Sequence, residues 1–247
     1  MGKKYKIRKD LTKEIITEDG NDKTFYRIQA LKSFGRVNKG DLGGWIEKED
    51  NLSQEGNCWV KGEACVFDNA KVYDDAIVED DAIVCDNAEV YGNAQISYHS
   101  VVKDNAKVHG TSLMRNKAIV SENAEVYDNG WVTENAHIYG NAKVYGNASV
   151  TNNAQVFEHA EIHGHSHVYG NAQVHGNAEI NEEAKIYGDA KVYGDAVISG
   201  VTQVYNNGQV FGTANLFNVE VIGNGTIADG AIKHKVIIED CANVLYR

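Results

Sequence analysis

Nine histidines and four cysteines are the side chains of this 247-residue chain best suited to acid-base, nucleophilic or metal chemistry. His163-Gly164-His165-Ser166-His167 sets three imidazoles at alternate positions, which invites a zinc reading. Asp68, Asp86, Asp104 and Glu122 recur at equal spacing, and carboxylates stacked that way are costly unless calcium or a basic segment such as Lys3 to Lys9 lies against them. Cys58, Cys65, Cys85 and Cys241 contain no CxxC pair, so free thiols are expected. There is no Ser/His/Asp constellation, phosphate loop or dinucleotide fingerprint. The columns beside HGHSH supply Asn147, Glu183, Ser149 and Lys185 instead of further His or Cys, and a basic segment or solvent screening answers the acidic column more simply than calcium, so neither metal nor cofactor is predicted.

The elements that must position these residues are set by a six-residue repeat. Stepping by six from Val60 to Ile222, all 28 residues are apolar. Two places before each, from Ala64 to Ala214, stand 20 Ala, three Ser, two Gly and one Thr. Spacing by two puts the small and the branched residue on one inward face of a short strand. Helix is excluded, because an apolar residue at every sixth place walks around a 3.6-residue turn. The residues that follow, often Gly-Asn or Asp-Asn, suit a corner. The absence of proline fits a backbone whose N–H groups are needed for ladder bonds.

Residues eighteen apart form ordered columns: Lys71, Glu89, Lys107, Glu125, Lys143, Glu161 alternate in sign. Others read Tyr73, Tyr91, His109, Tyr127, Tyr145, His163, then Tyr139, Phe157, His175, Tyr193, Phe211, and a corner of stacked Asn from Asn69 to Asn141. Any hexad repeats at eighteen, but that does not create a sign alternation confined to one face. Three hexads therefore close one coil, predicting an all-β, triangular, single-stranded parallel β-helix of about nine coils. His109, His163 and His175 fall in ring columns, where stacking explains them. His99, His159 and His165 fall at corners, with His137 and His167 outward on strands.

An aliphatic residue followed four places on by a small one, as in Val144 and Ala148, resembles the hexapeptide-repeat proteins that include trimeric acyltransferases. The segments Gly40-Asp41-Leu42-Gly43-Gly44-Trp45-Ile46, Asn51-Leu52-Ser53 and Gly56-Asn57-Cys58-Trp59-Val60 are similar to YdcK-like bacterial and phage proteins. This resemblance implies a left-handed coil, where the general crossover rule would give a right-handed one. It also implies a trimer and a transferase with a histidine general base, for which His99 in Tyr98-His99-Ser100 is the weak candidate, and a coenzyme A donor. That family commonly extrudes a loop to shape its site; no hexad here is interrupted between Val60 and Ile222.

Residues 1–55 read as a β-rich cap, 56–224 as the β-helix and 225–247 as a capping segment. In the cap, residues 5–8, 14–17 and 24–31 are strand-like, Asp19-Gly20-Asn21-Asp22 is a turn, and Gly40, Gly43 and Gly44 mark bends. Near the C-terminus the register fails after Ile222, and residues 235–240 read as a sealing strand. The first coils carry apolar outward residues, Trp59, Ile77, Leu113 and Trp131 beside Cys65, Ile83, Val101 and Ile119, which the cap or another subunit should cover. Net charge is −11, with about +2 on residues 1–55 and −13 on the rest. An acidic body argues against nucleic acid. Neither a signal peptide nor a membrane span is evident, so a cytoplasmic protein is expected. The predicted function is a non-catalytic structural or binding scaffold, with a homo-oligomer (trimer favoured) or an unknown protein as partner. A coenzyme A acyltransferase is the alternative and an acidic polyanion mimic the further one.

Overall fold

The computed structural model describes residues 2–16, 22–232, 237–238 and 243–245. Each hexad forms a two-residue strand and a corner, and three hexads close a coil, so Lys71 lies in register beside Glu89. Parallel strands stack into three faces. The first runs from Trp59–Val60 to Ile237–Ile238 in eleven strands, and the third from Lys71–Val72 to Ala231–Ile232 in ten. The second, from Cys65–Val66 to Asn243–Leu245, belongs to a fourteen-stranded sheet whose other three strands come from the N-terminal segment. The stack thus has about ten turns, one more than the periodicity predicts.

Inward Val and Ile and the small residue before them, from Val60 to Leu216, are sealed from solvent. Where that small residue is Ser100, Ser112, Ser166 or Thr202, its hydroxyl donates to the carbonyl three residues back, at 2.6–2.8 Å, so no buried donor is stranded. The second residue after each inward one turns the corner with φ between +54° and +75° through most of the stack, and fifteen of these residues are not glycine.

The last coils shorten. Val204 pairs with Val221 and Leu216 with Ile232, so two steps, Leu216 to Val221 and Ile227 to Ile232, take five residues instead of six. Val221 is therefore the inward residue and Ile222, assigned inward by the strict hexad, is half-buried outside. Ile227 and Ile232 are off the hexad phase yet point inward. Of the expected sealing strand, Ile237–Ile238 is described and pairs parallel to Glu220–Val221; the rest of residues 235–240 lies outside the described residues.

The N-terminal segment gives β1 (Tyr5–Ile16), β2 (Asp22–Ala30) and β3 (Leu42–Ile46). Residues 5–8 and 14–16 belong to one strand with an irregularity between Arg8 and Thr12, a correction to the two strands expected. The turn expected at residues 19–22 lies outside the described residues except for Asp22. β3 pairs antiparallel with β2 and parallel with Cys65–Val66, which joins the cap to the second face. Lys4 is buried there. Its ammonium donates to the carbonyls of Glu55 and Cys58, each at 3.0 Å, so the cap's cation is satisfied by backbone oxygens of the first coil.

Gly40 is a bend at φ +99°, but Gly43 and Gly44 sit inside β3, where closeness and not curvature excludes a side chain. A Cβ on Gly44 would meet the Ala64 carbonyl and Val60 Cγ1 at 2.7 Å. Gly44→Ala should therefore cost about 1–3 kcal/mol and loosen the cap first. Fluorescence of the buried Trp45 and Trp59 should shift before the main unfolding transition; an unchanged melt would show the contact to be slack.

Candidate functional site

The three histidines of HGHSH are spread around one corner of the prism. His163 Nε2 lies 3.0 Å from Glu179 Oε1 on the third face, His165 sits at the next corner, and His167 Nδ1 lies 2.6 Å from Ser149 Oγ on the first face. One corner, at Gly164 and His165, separates what the sequence lists together. Among the described residues no group of three or more His, Cys, Asp or Glu side chains is arranged to hold a metal ion.

The acidic corner column is explained by the backbone. Asp104 N–H donates to Asp86 at 3.1 Å, Glu122 N–H to Asp104 at 3.0 Å, and Gly140 N–H to Glu122 at 3.0 Å. Each left-handed residue's carboxylate thus accepts the N–H of the left-handed residue one coil on, which answers the like-charge problem without a cation. Asp68, first in the column, pairs with Lys23 instead of the expected Lys3 to Lys9. Beside it the Asn69, Asn87, Asn105, Asn123, Asn141 amides bond end to end at 3.1–3.3 Å, a ladder that His159 interrupts.

His99 stands on the corner between the first and second faces, with its side chain 64% exposed and Nδ1 3.8 Å from Asp81 Oδ2. A carboxylate there can orient an imidazole, but this distance is beyond a hydrogen bond and no wall encloses the pair. A shallow groove lies instead between coils at His159, Glu161, Asn177 and Glu179. The described thiols offer no activated nucleophile: burial raises Cys58, pushes Cys65 up to about 11 and, with Asp86 adjacent, Cys85 up to about 12. Cys241 lies outside the described residues.

Stacked rings occupy all three faces. Tyr73 to His163 on the third face and Tyr139 to Phe211 on the second stack with centroids 4.4–5.3 Å apart and planes within 8°. A third ladder, Tyr169, Tyr187 and Tyr205 on the first face, escaped the sequence reading although stepping by eighteen from Tyr169 finds it. Their faces are spent on one another, so only ring edges meet solvent.

The apolar outward residues divide. Trp59 is covered edge-on by Tyr5 and Phe34, and Cys65 is buried with Phe25 and Trp45, as expected of a cap that folds back. Further down the cap does not reach. Ile83 is 36% and Trp131 48% exposed, with Ile77, Leu113, Val101 and Ile119 half-buried around the same corner, where Tyr98 is also exposed.

These coils define a class, the single-stranded parallel β-solenoid built from hexapeptides. No family model matches the chain. A stretch of 60 residues is 38% identical to the uncharacterized acetyltransferase YdcK of Escherichia coli (strain K12); it makes up 24% of this chain and 18% of that protein. No helix among the described residues is long and apolar enough to cross a membrane.

Asp86→Ala should lower stability by about 1–2 kcal/mol, because it strands the Asp104 N–H and leaves a methyl side chain at φ +59°. Asp86→Gly loses the acceptor but relieves that strain and should cost less; urea midpoints decide. His137 accepts from or donates to Ser121 Oγ at 2.9 Å, and burial, with Lys103 adding, holds its pKa below the ordinary value. The folded chain then binds this proton less readily than the unfolded chain, so the stability is complete above about pH 6.5 and lost as pH falls through the lower folded value. His137→Gln should flatten that acid limb in urea melts taken across it.

Proposed function

We propose that this protein is a non-catalytic binding scaffold whose working surface is the apolar strip of Ile77, Leu113 and Trp131 on the first face and Ile83, Val101 and Ile119 on the second. The observation that carries the reading is the unbroken coil: from Val60 to Leu216 every strand follows the last at six residues, and no loop leaves the prism to wall a pocket. A reaction site needs water excluded around the reacting atoms. A flat, rigid face with an uncovered apolar strip is suited to holding another macromolecule.

A second reading, an acyltransferase-like enzyme, is supported by the similarity to the E. coli protein and by the His99–Asp81 approach. Calorimetric titration with coenzyme A and acetyl-coenzyme A separates the two. The scaffold reading expects no saturable heat. Micromolar binding that disappears in His99→Ala would replace it with the enzyme.

A further inference from the structure

On the third face the outward charges Lys71, Glu89, Lys107, Glu125, Lys143 and Glu161 stand in register, one per coil. Their alternation is readily taken for a chain of ion pairs within the molecule, yet only Lys143 and Glu161 make one, at 3.0 Å. Lys71 and Lys107 have no ion-pair partner among the described residues. The glutamates are held from the side by the ring column: Tyr73 donates to Glu89 at 2.9 Å, His109 Nε2 lies 2.9 Å from Glu125, and Tyr145 donates to Glu161 at 3.0 Å. Carboxylates are thereby fixed in place while two ammonium groups remain free.

Six strictly alternating charges have a symmetry property. When a second copy is turned end for end about an axis along the strands, position one meets position six, two meets five and three meets four. Every meeting is then between opposite signs: Lys71 with Glu161, Glu89 with Lys143, and Lys107 with Glu125, each twice. The same operation lays the ring column on itself, Tyr91 toward Tyr145 and His109 toward Tyr127. A parallel two-fold would set charges against rings and gains nothing. These six charges sum to zero in a chain of net charge −11, and the next residue in register, Glu179, lies beyond the six and is held by His163 Nε2 at 3.0 Å, so two acidic molecules meet where their repulsion is small.

We propose that the third face is a docking surface for a second copy of this chain in antiparallel orientation, registered by this charge column. The surface is separate from the apolar strip, which stays open in such a pair.

Analytical ultracentrifugation of the full chain at low and high salt tests the proposal. A dimer that weakens as salt rises is expected, since exposed charges are screened. Lys107→Glu reverses two of the six meetings and should weaken the dimer about tenfold or more. Adding Glu125→Lys should restore it to within about threefold, although within one chain this double change sets like charges side by side at positions 89 and 107 and at 125 and 143. If the alternation served only the isolated chain, the double variant would associate no better than the single one. That result, or a wild-type chain monomeric at low salt, overturns the proposal. Should the central variants unfold in urea controls, Lys71→Glu with and without Glu161→Lys poses the same question at the outer positions.

Discussion

The corner governs this molecule. Each coil must return to its starting point after eighteen residues, and it does so by placing one residue in six, three to a coil, in left-handed backbone conformation. Fifteen of these carry side chains, at a cost of about 1–2 kcal/mol for an L-residue. Asp and Glu recover part of it by accepting the N–H of the corner one coil on, as Asp86 does for Asp104. Sidedness, ring stacking and amide ladders all follow from that fixed repeat, since any slip would move a branched residue to solvent.

Much of this was legible because the repeat is a statement about inside and outside. Val144 and Ala148 announce their burial by type and spacing, and Lys71 beside Glu89 shows coil length without any coordinate. Three features were not legible for identifiable reasons. The shift from Ile222 to Val221 is a one-residue deletion between two apolar residues, and hydrophobicity cannot say which turns inward. Gly43 and Gly44 look like bend residues, but their cause is the nearness of Ile28 and Trp59 on one side and Ala64 on the other, a tertiary fact. The acidic column reads as needing a basic segment, screening or a cation because its actual partner is a backbone N–H, and backbone groups carry no sequence signal.

The candidate chemistry followed the same division. HGHSH is contiguous in the chain and dispersed in space, because the corner at Gly164 and His165 leaves one imidazole on the third face, one on the corner and one on the first face. The chain instead concentrates its distinct surfaces by face and height: an apolar strip near the cap on two faces, an alternating charge column beside a ring ladder on the third, and ring ladders farther from the cap on the other two. On the two proposals made above, a prism with alternating charge on one face and an apolar strip on the others would engage two kinds of neighbour at once without bending.

The ring ladders have one more consequence. Tyr127 and Tyr145 are held 4.8 Å apart and within 4° of parallel, and Tyr187 keeps the same relation to Tyr205. Chromophores so aligned share their ultraviolet transitions, so near-ultraviolet dichroism of the intact prism reports the phase between neighbouring turns. The molecule carries its own optical gauge of alignment, summed over its ladders and needing no label.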